Sequence, residues 1–303
     1  MIGLQDLANG VILGATIGLG AVGLTLTYSI LGFANFAHGE LVTGGAYAAL
    51  TLLWVLTAIA GAAAGHLGAL SFGLPLLVAL AGAVLLTAAL ALALEHALFR
   101  PLARHAAPIV LVIASFGASL ALRSLIAFAW GPEPAYFTRE IPIAREVLPG
   151  MRVTADQVFV LMLTVALMVA LHLVLTHTTL GRAMRAASEN PGLLAATGID
   201  PARIARLTCL IGGGLAAVAG VFIGLTVQIR PFLGFELLLP LFAAVILGGV
   251  GSVYGALAGS LIVGMAEALS VPVVGAEYRA AVAFLILLVV LVLRPAGIAG
   301  TRE

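Results

Sequence analysis

Three polar side chains interrupt an apolar stretch at Asn35-Phe36-Ala37-His38-Gly39-Glu40. An amide, an imidazole and a carboxylate this close together are costly in hydrocarbon unless they face protein, water or an aqueous path. One chemistry open to Asn35, His38 and Glu40 is to line or gate a polar route through a membrane. The other is a polar turn at the membrane surface, in which Asn35 and Glu40 cap helices. A metal site is not indicated, because no cysteine or second histidine accompanies them and HGE lacks the HExxH spacing.

A second concentration of polar residues runs from Gly181 to Arg206, GRAMRAASENPGLLAATGIDPARIAR. Asn190 can cap a helix that begins at Pro191, and Asp200 can cap one that begins at Pro201. Gly198 follows Thr197 where a left-handed C-terminal cap is wanted. The pattern predicts a short helix, Pro191–Thr197, held between two membrane segments. Arg182, Arg185, Arg203 and Arg206 flank it against Glu189 and Asp200. A capped, basic-flanked helix on the cytoplasmic face suits docking to a partner protein; the plainer alternative is a solvated loop between spans.

Other motifs carry less. Gly18-Leu-Gly20-Ala-Val-Gly23 matches the dinucleotide fingerprint, but it lies inside a membrane-length apolar run with no strand–helix–strand context. Gly117-Ala-Ser119-Leu-Ala121 only approaches a nucleophile elbow. The sequence contains no lysine, so it holds no P-loop of its own. Cys209, the single cysteine, reads as a packing residue. Glu95 is expected to make a loose contact with Arg100 at the interface. Arg123 and Glu267 are expected to snorkel from near helix ends.

The elements that position these residues are helices in lipid. Of 303 residues, 62% are hydrophobic and 9% charged; mean hydropathy is +1.21. Soluble domains carry about 25% charged residues, so the chain is expected to be an all-α, polytopic membrane protein forming one transmembrane domain. The near-zero net charge gives no attraction for nucleic acid. Met1–Asn9 lacks the basic start of a cleavable signal peptide.

Apolar segments run Leu7–Leu31, Leu41–Ala64, Leu74–Phe99, Ile109–Phe128, Gln157–Leu175, Thr208–Val227, Leu237–Leu247, Ala256–Met265 and Tyr278–Leu293. Most reach the roughly 17–25 residues that cross about 30 Å of hydrocarbon. Leu237–Leu247 and Ala256–Met265 are half-length and joined by GGVGSVYG, which predicts a broken or re-entrant pair or two short tilted helices. Arg100, Arg104, the Gly181–Arg206 loop, Arg294 and Arg302 place those parts inside. The mixed-charge loop Ala129–Asp156, with Arg139, Arg145, Arg152, Glu133, Glu140 and Glu146, is placed outside. The N-terminus is then outside and the C-terminus inside, which requires an odd number of crossings: seven spans plus a re-entrant pair, or nine. Gly10, Gly14 and Gly18, and again Gly251, Gly255 and Gly259, repeat every four residues, as close helix packing in lipid requires.

Four stretches together support a resemblance: ILGFANFAHGE within Gly23–Glu40, GRAMRAASENPGLLAATGI at Gly181–Ile199, VILGGVGSVYGALAGSLIVG at Val245–Gly264, and Ala266–Leu269 followed by Glu277-Tyr278. The chain resembles the permease subunits of branched-chain amino acid ABC transporters, the LivH type, over nearly its whole length. The resemblance implies an importer for leucine, isoleucine or valine, with relatives that serve urea or short amides. It also implies a LivM-type second permease, two cytoplasmic ABC ATPases and a periplasmic or extracellular substrate-binding protein. No catalysis and no cofactor are implied. The loop within 178–206 would dock an ATPase through Ala187–Thr197, which brings Arg182, Arg185, Glu189, Asn190, Pro191 and Gly198 into the coupling surface. Asn35, His38 and Glu40 fall in the matched motif, with no ligand role following from the match. The chain departs from commoner members in Arg123 within an apolar segment and in Asn190-Pro191. A competing reading, a stand-alone ion-coupled transporter, would need midplane acids, for which only Glu40, Glu95 and Glu267 are candidates.

Overall fold

A computed structural model describes residues 3–60, 67–138, 143–294 and 296–299. Arg139, Glu140, Arg302 and the end of the Leu41–Ala64 segment lie outside the described residues. The chain is a polytopic helical bundle. Eight helical stretches among the described residues are long and apolar enough to cross a membrane. They are α1 (Leu4–Leu31), α2 (Ala37–Ala60), α3 (Leu74–Leu94) running on into α4 (Arg100–Ala103), α5 (Pro108–Trp130), α6 (Ala155–His177), α9 (Pro201–Thr226), α11 (Val253–Val274) and α12 (Arg279–Leu293) with the turn before it. Between α6 and α9 lie two short helices, α7 (Thr179–Glu189) and α8 (Pro191–Ala196). The remaining apolar helix, α10 (Leu233–Gly248), has 16 residues. A small antiparallel hairpin, β1 (Arg145–Leu148) and β2 (Met151–Val153), precedes α6.

Lipid tails are as apolar as leucine, so helices here associate by close packing and not by hydrophobic burial. The buried centre of the bundle is α1 and α9, and glycine sets their spacing. A Cβ added at Gly10 would stand 2.9 Å from the Met265 Cα, and one at Gly14 2.9 Å from the Leu261 Cα. One at Gly18 would stand 2.7 Å from Ser260 Oγ. The first glycine ladder is therefore the seam along which α1 runs antiparallel to α11. In α9, Gly212 meets Gly23 and Thr27 of α1, Gly213 meets Ala91 of α3, and Gly220 meets Val42 of α2.

The second ladder differs from expectation. Gly255 and Gly259 face Gly248 and Ala244 of α10, but Gly251 lies in the turn between the two helices with φ +87°. Its N–H donates to Thr25 Oγ1 at 2.9 Å. The half-length reading of Ala256–Met265 is likewise corrected: α11 is a full-length helix of 22 residues. The apolar count stopped at Met265, short of Glu267, yet Glu267 is buried and the helix continues through it and Pro272.

Contacts fix which loops share an end. The Gln5 side chain pairs with the Arg152 backbone at 2.7 and 3.1 Å, Asp156 Oδ1 accepts from the Ser71 N–H at 2.9 Å, and Ala135 bridges to Ile229. At the other end, Ile298 and Ala299 donate to the Leu247 and Gly248 carbonyls, close to the α10–α11 turn and the C-terminal half of α1. The described chain thus starts at one end and finishes at the other, with α10 as a short additional leg.

Candidate functional site

The polar motif sits inside the bundle. Helix α2 begins at Ala37, and Asn35 caps it: Asn35 Oδ1 accepts from the Ala37 N–H at 3.1 Å. His38 and Glu40 follow in the first turn, both fully buried, with Asn35 5% exposed. His38 Nε2 lies 3.0 Å from the Gly20 carbonyl, joining α2 to α1, and its ring fills the space that the missing side chain of Gly23 leaves.

Glu40 turns toward α5. Its Oε1 accepts from Arg123 Nε and from Ser119 Oγ, each at 3.2 Å, which makes an ion pair within the bundle. The Arg123 guanidinium lies 4.3 Å from the Phe235 ring centroid and 5.5 Å from that of Phe232, where aromatic faces offset lost hydration. One turn nearer the start of α5, Ser115 Oγ accepts from the Phe36 N–H at 3.1 Å. Glu40 Oε2 and His38 Nδ1 have no hydrogen-bond partner among the described residues. The space beside Asn35 and His38 is about 10 Å³, room for about one water molecule. The motif is closed around itself in this conformation.

Arg123 does not snorkel. It is 9% exposed and holds the Glu40 carboxylate, because two opposite charges inside the bundle each replace lost hydration with the other. Glu95 also departs from expectation: it is 3% exposed, in a π-helical turn Glu95–Phe99 that joins α3 to α4. Sequence reasoning passed over Ser115, Ser119 and Arg123 as a set. Their spacing of four residues puts all three on one face of an otherwise apolar helix, and that stripe was the available signal.

The polar loop folds largely as its caps dictate. Thr178 Oγ1 accepts from the Gly181 N–H at 3.2 Å at the start of α7. Asn190 Oδ1 accepts from the Leu193 N–H at 2.9 Å, with Pro191 in the first position of α8. Gly198 takes φ +85°, and Asp200 Oδ1 accepts from the Ala202 N–H at 2.9 Å. Helix α8 ends at Ala196, with Thr197 as its cap. Ala183, Met184, Ala187 and Leu194 are buried, while Leu193 remains 66% exposed. Arg182, Glu189 and Asn190 share an open groove of about 410 Å³ with Leu193, Leu194 and Ile199. Arg185 instead donates to the Leu175 carbonyl of α6 at 2.6 Å, tying α7 to the span before it. Among the described residues, no three His, Cys, Asp or Glu side chains come together as metal ligands do.

The family model described as "Branched-chain amino acid transport system / permease component" matches residues 7–291. The chain belongs to this permease family. It is similar to the high-affinity branched-chain amino acid transport system permease protein LivH of Escherichia coli K12, 33% identical over 99% of this chain and 96% of that one. It is similar also to BraD of Pseudomonas aeruginosa, of the same description, at 34% identity with the same coverage. A probable branched-chain amino acid permease of Methanocaldococcus jannaschii is 29% identical over 92% of this chain and 87% of its own. No solved structure matches. Within the permease, the buried cluster and the exposed groove occupy separate places: one lies among spans, the other on the loop that connects two of them.

Proposed function

We propose that the chain is the membrane-spanning subunit of an ABC importer for leucine, isoleucine or valine. The observation that carries this reading is the nearly full-length likeness to LivH and BraD, both named as high-affinity branched-chain amino acid transport permeases. The permease works without an ATPase site of its own, in keeping with the absence of lysine from the sequence. Two cytoplasmic ATPases supply the energy, a second, LivM-type permease completes the conduit, and a substrate-binding protein delivers the amino acid from outside. It sits in the cell (inner) membrane, with the N-terminus outside and the C-terminus in the cytoplasm.

Coupling runs through residues 178–206. The groove that Arg182, Glu189, Asn190 and Leu193 share is the surface an ATPase grips, with Pro191 and Gly198 fixing the two ends of α8. Arg185, bonded to Leu175, and Asp200, capping α9, pass a displacement of α8 to α6 and α9. Asn35, His38 and Glu40 belong to the pathway as its closed element. Opening requires α2 to move against α1 and α5, so the His38–Gly20 and Glu40–Arg123 contacts are those that must yield.

The test is reconstitution of the chain with the partners that co-purify with it. ATP-dependent leucine uptake that needs the binding protein supports the reading. Uptake of urea or short amides in place of aliphatic amino acids, or leucine uptake by the chain alone without ATPase, contradicts it.

A further inference from the structure

A cavity of about 330 Å³, lined by residues other than those of the groove, opens between the loop, the Glu95–Phe99 turn and the ends of α1, α4, α5 and α9. Its volume falls at the small end of the roughly 300–1,000 Å³ range of ligand pockets. Three kinds of wall meet there. Phe33, Phe99 and Leu111 are apolar and at most 5% exposed, with the two phenylalanine rings 5.1 Å apart. Glu95 brings a carboxylate whose Oε2 has no hydrogen-bond partner although the residue is 3% exposed. Arg100 and Arg104 bring guanidinium groups.

The local backbone explains the grouping. In the π-helical turn the Arg100 N–H donates to the Glu95 carbonyl, five residues back. The wider turn puts Glu95, Phe99 and Arg100 on one side, and Arg104 follows four residues on, as the cap that ends α4. Turns of this kind inside α-helices are frequent at functional sites.

A cation-seeking carboxylate, anion-seeking guanidinium groups and an apolar wall complement one chemical class. We infer that this cavity binds a free aliphatic α-amino acid at the loop end of the permease, its ammonium on Glu95, its carboxylate on Arg100 or Arg104, and its side chain against Phe33, Phe99 and Leu111. Ala187 of α7 and Pro191 of α8 complete the wall, so an occupant bridges the spans and the coupling loop. It holds α8 against the bundle, and uptake slows as the amino acid accumulates inside. The identity of the ligand rests on the function proposed above.

The experiment uses the permease with its co-purified partners in phosphatidylcholine nanodiscs, which contain no aminophospholipid to compete, and without the binding protein. Radiolabelled L-leucine should bind saturably, and leucinamide and 4-methylpentanoate, each lacking one charge, should compete roughly tenfold more weakly. Glu95→Gln should abolish this binding, and so should Leu111→Trp, which fills the cavity without touching a charge. In proteoliposomes with ATP enclosed, both variants should import leucine initially as the wild type does, yet escape its slowing by preloaded internal leucine. Undiminished binding in both variants, or equal slowing of wild type and variants, overturns the assignment. Wild-type liposomes that import no aliphatic amino acid at all refute the functional reading instead, which separates the two failures.

Discussion

Replacing Arg123 by methionine isolates the Glu40 carboxylate, and the structure sets what that costs. The Glu40 side chain has no solvent exposure and the Arg123 side chain 11%. After the substitution the carboxylate keeps Ser119 Oγ at 3.2 Å as a donor, and Oε2 has none. Removing one partner of a buried pair costs about 3–5 kcal/mol. Glu40→Gln is milder: the amide oxygen still accepts from Ser119, and Arg123 keeps its place over Phe235, so the expected loss is about 1–3 kcal/mol. The double variant carries neither charge and should cost less than the sum of the singles by at least about 1 kcal/mol. The assay is SDS-induced unfolding of the purified chain in mixed micelles, followed by circular dichroism for wild type, both singles and the double. Losses that add within about 0.5 kcal/mol would refute the pair as an interacting unit. So would an Arg123→Met cost below about 1 kcal/mol, the behaviour of a solvated surface arginine.

Further expectations follow from the packing and the loop. Gly14→Val should prevent recovery of folded protein, because its side chain meets the Leu261 Cα and the Ser260 carbonyl, both backbone, at 2.9 Å; Gly117→Ala, with nothing within 4 Å, should express as the wild type does. Asn190→Ala removes the bond to the Leu193 N–H and should cost about 1 kcal/mol, read as weaker stimulation of the partner ATPase with the spans still assembled. Glu189→Arg or Arg185→Glu should leave the spans folded and uncouple ATP hydrolysis from uptake; normal uptake in both would remove these residues from the coupling route.

The features legible in the sequence are those with local causes. Asn190-Pro191, Thr197-Gly198 and Asp200-Pro201 announced their caps because each cap is closed by a backbone N–H or a backbone angle within a few residues. Span length and the Gly10–Gly14–Gly18 seam were legible for the same reason: composition and a four-residue repeat are properties of one segment. The partner of Arg123 was not, because Glu40 lies 83 residues away, and an arginine near the end of a span reads as snorkelling until the acid is found. The length of α11 was hidden by Glu267 and Pro272, which look like a helix end on a hydropathy count; in the structure Glu267 is buried against the bundle, and Pro272 lies in the exposed last turn of the same helix. The burial of Glu95 follows from a π-helical turn, for which EHALF offers no local signature.

The central claim is that this permease is a conduit moved from its α7–α8 surface by cytoplasmic partners, and labelling of one position tests it most directly. Leu193 is 66% exposed beside the groove, whereas Cys209 is buried. In a Cys209→Ser background, Leu193→Cys should react with a membrane-impermeant maleimide only after the cytoplasmic face is opened, and the co-assembled ATPase should protect it. Labelling from outside intact cells, or no protection by any partner, would contradict the account.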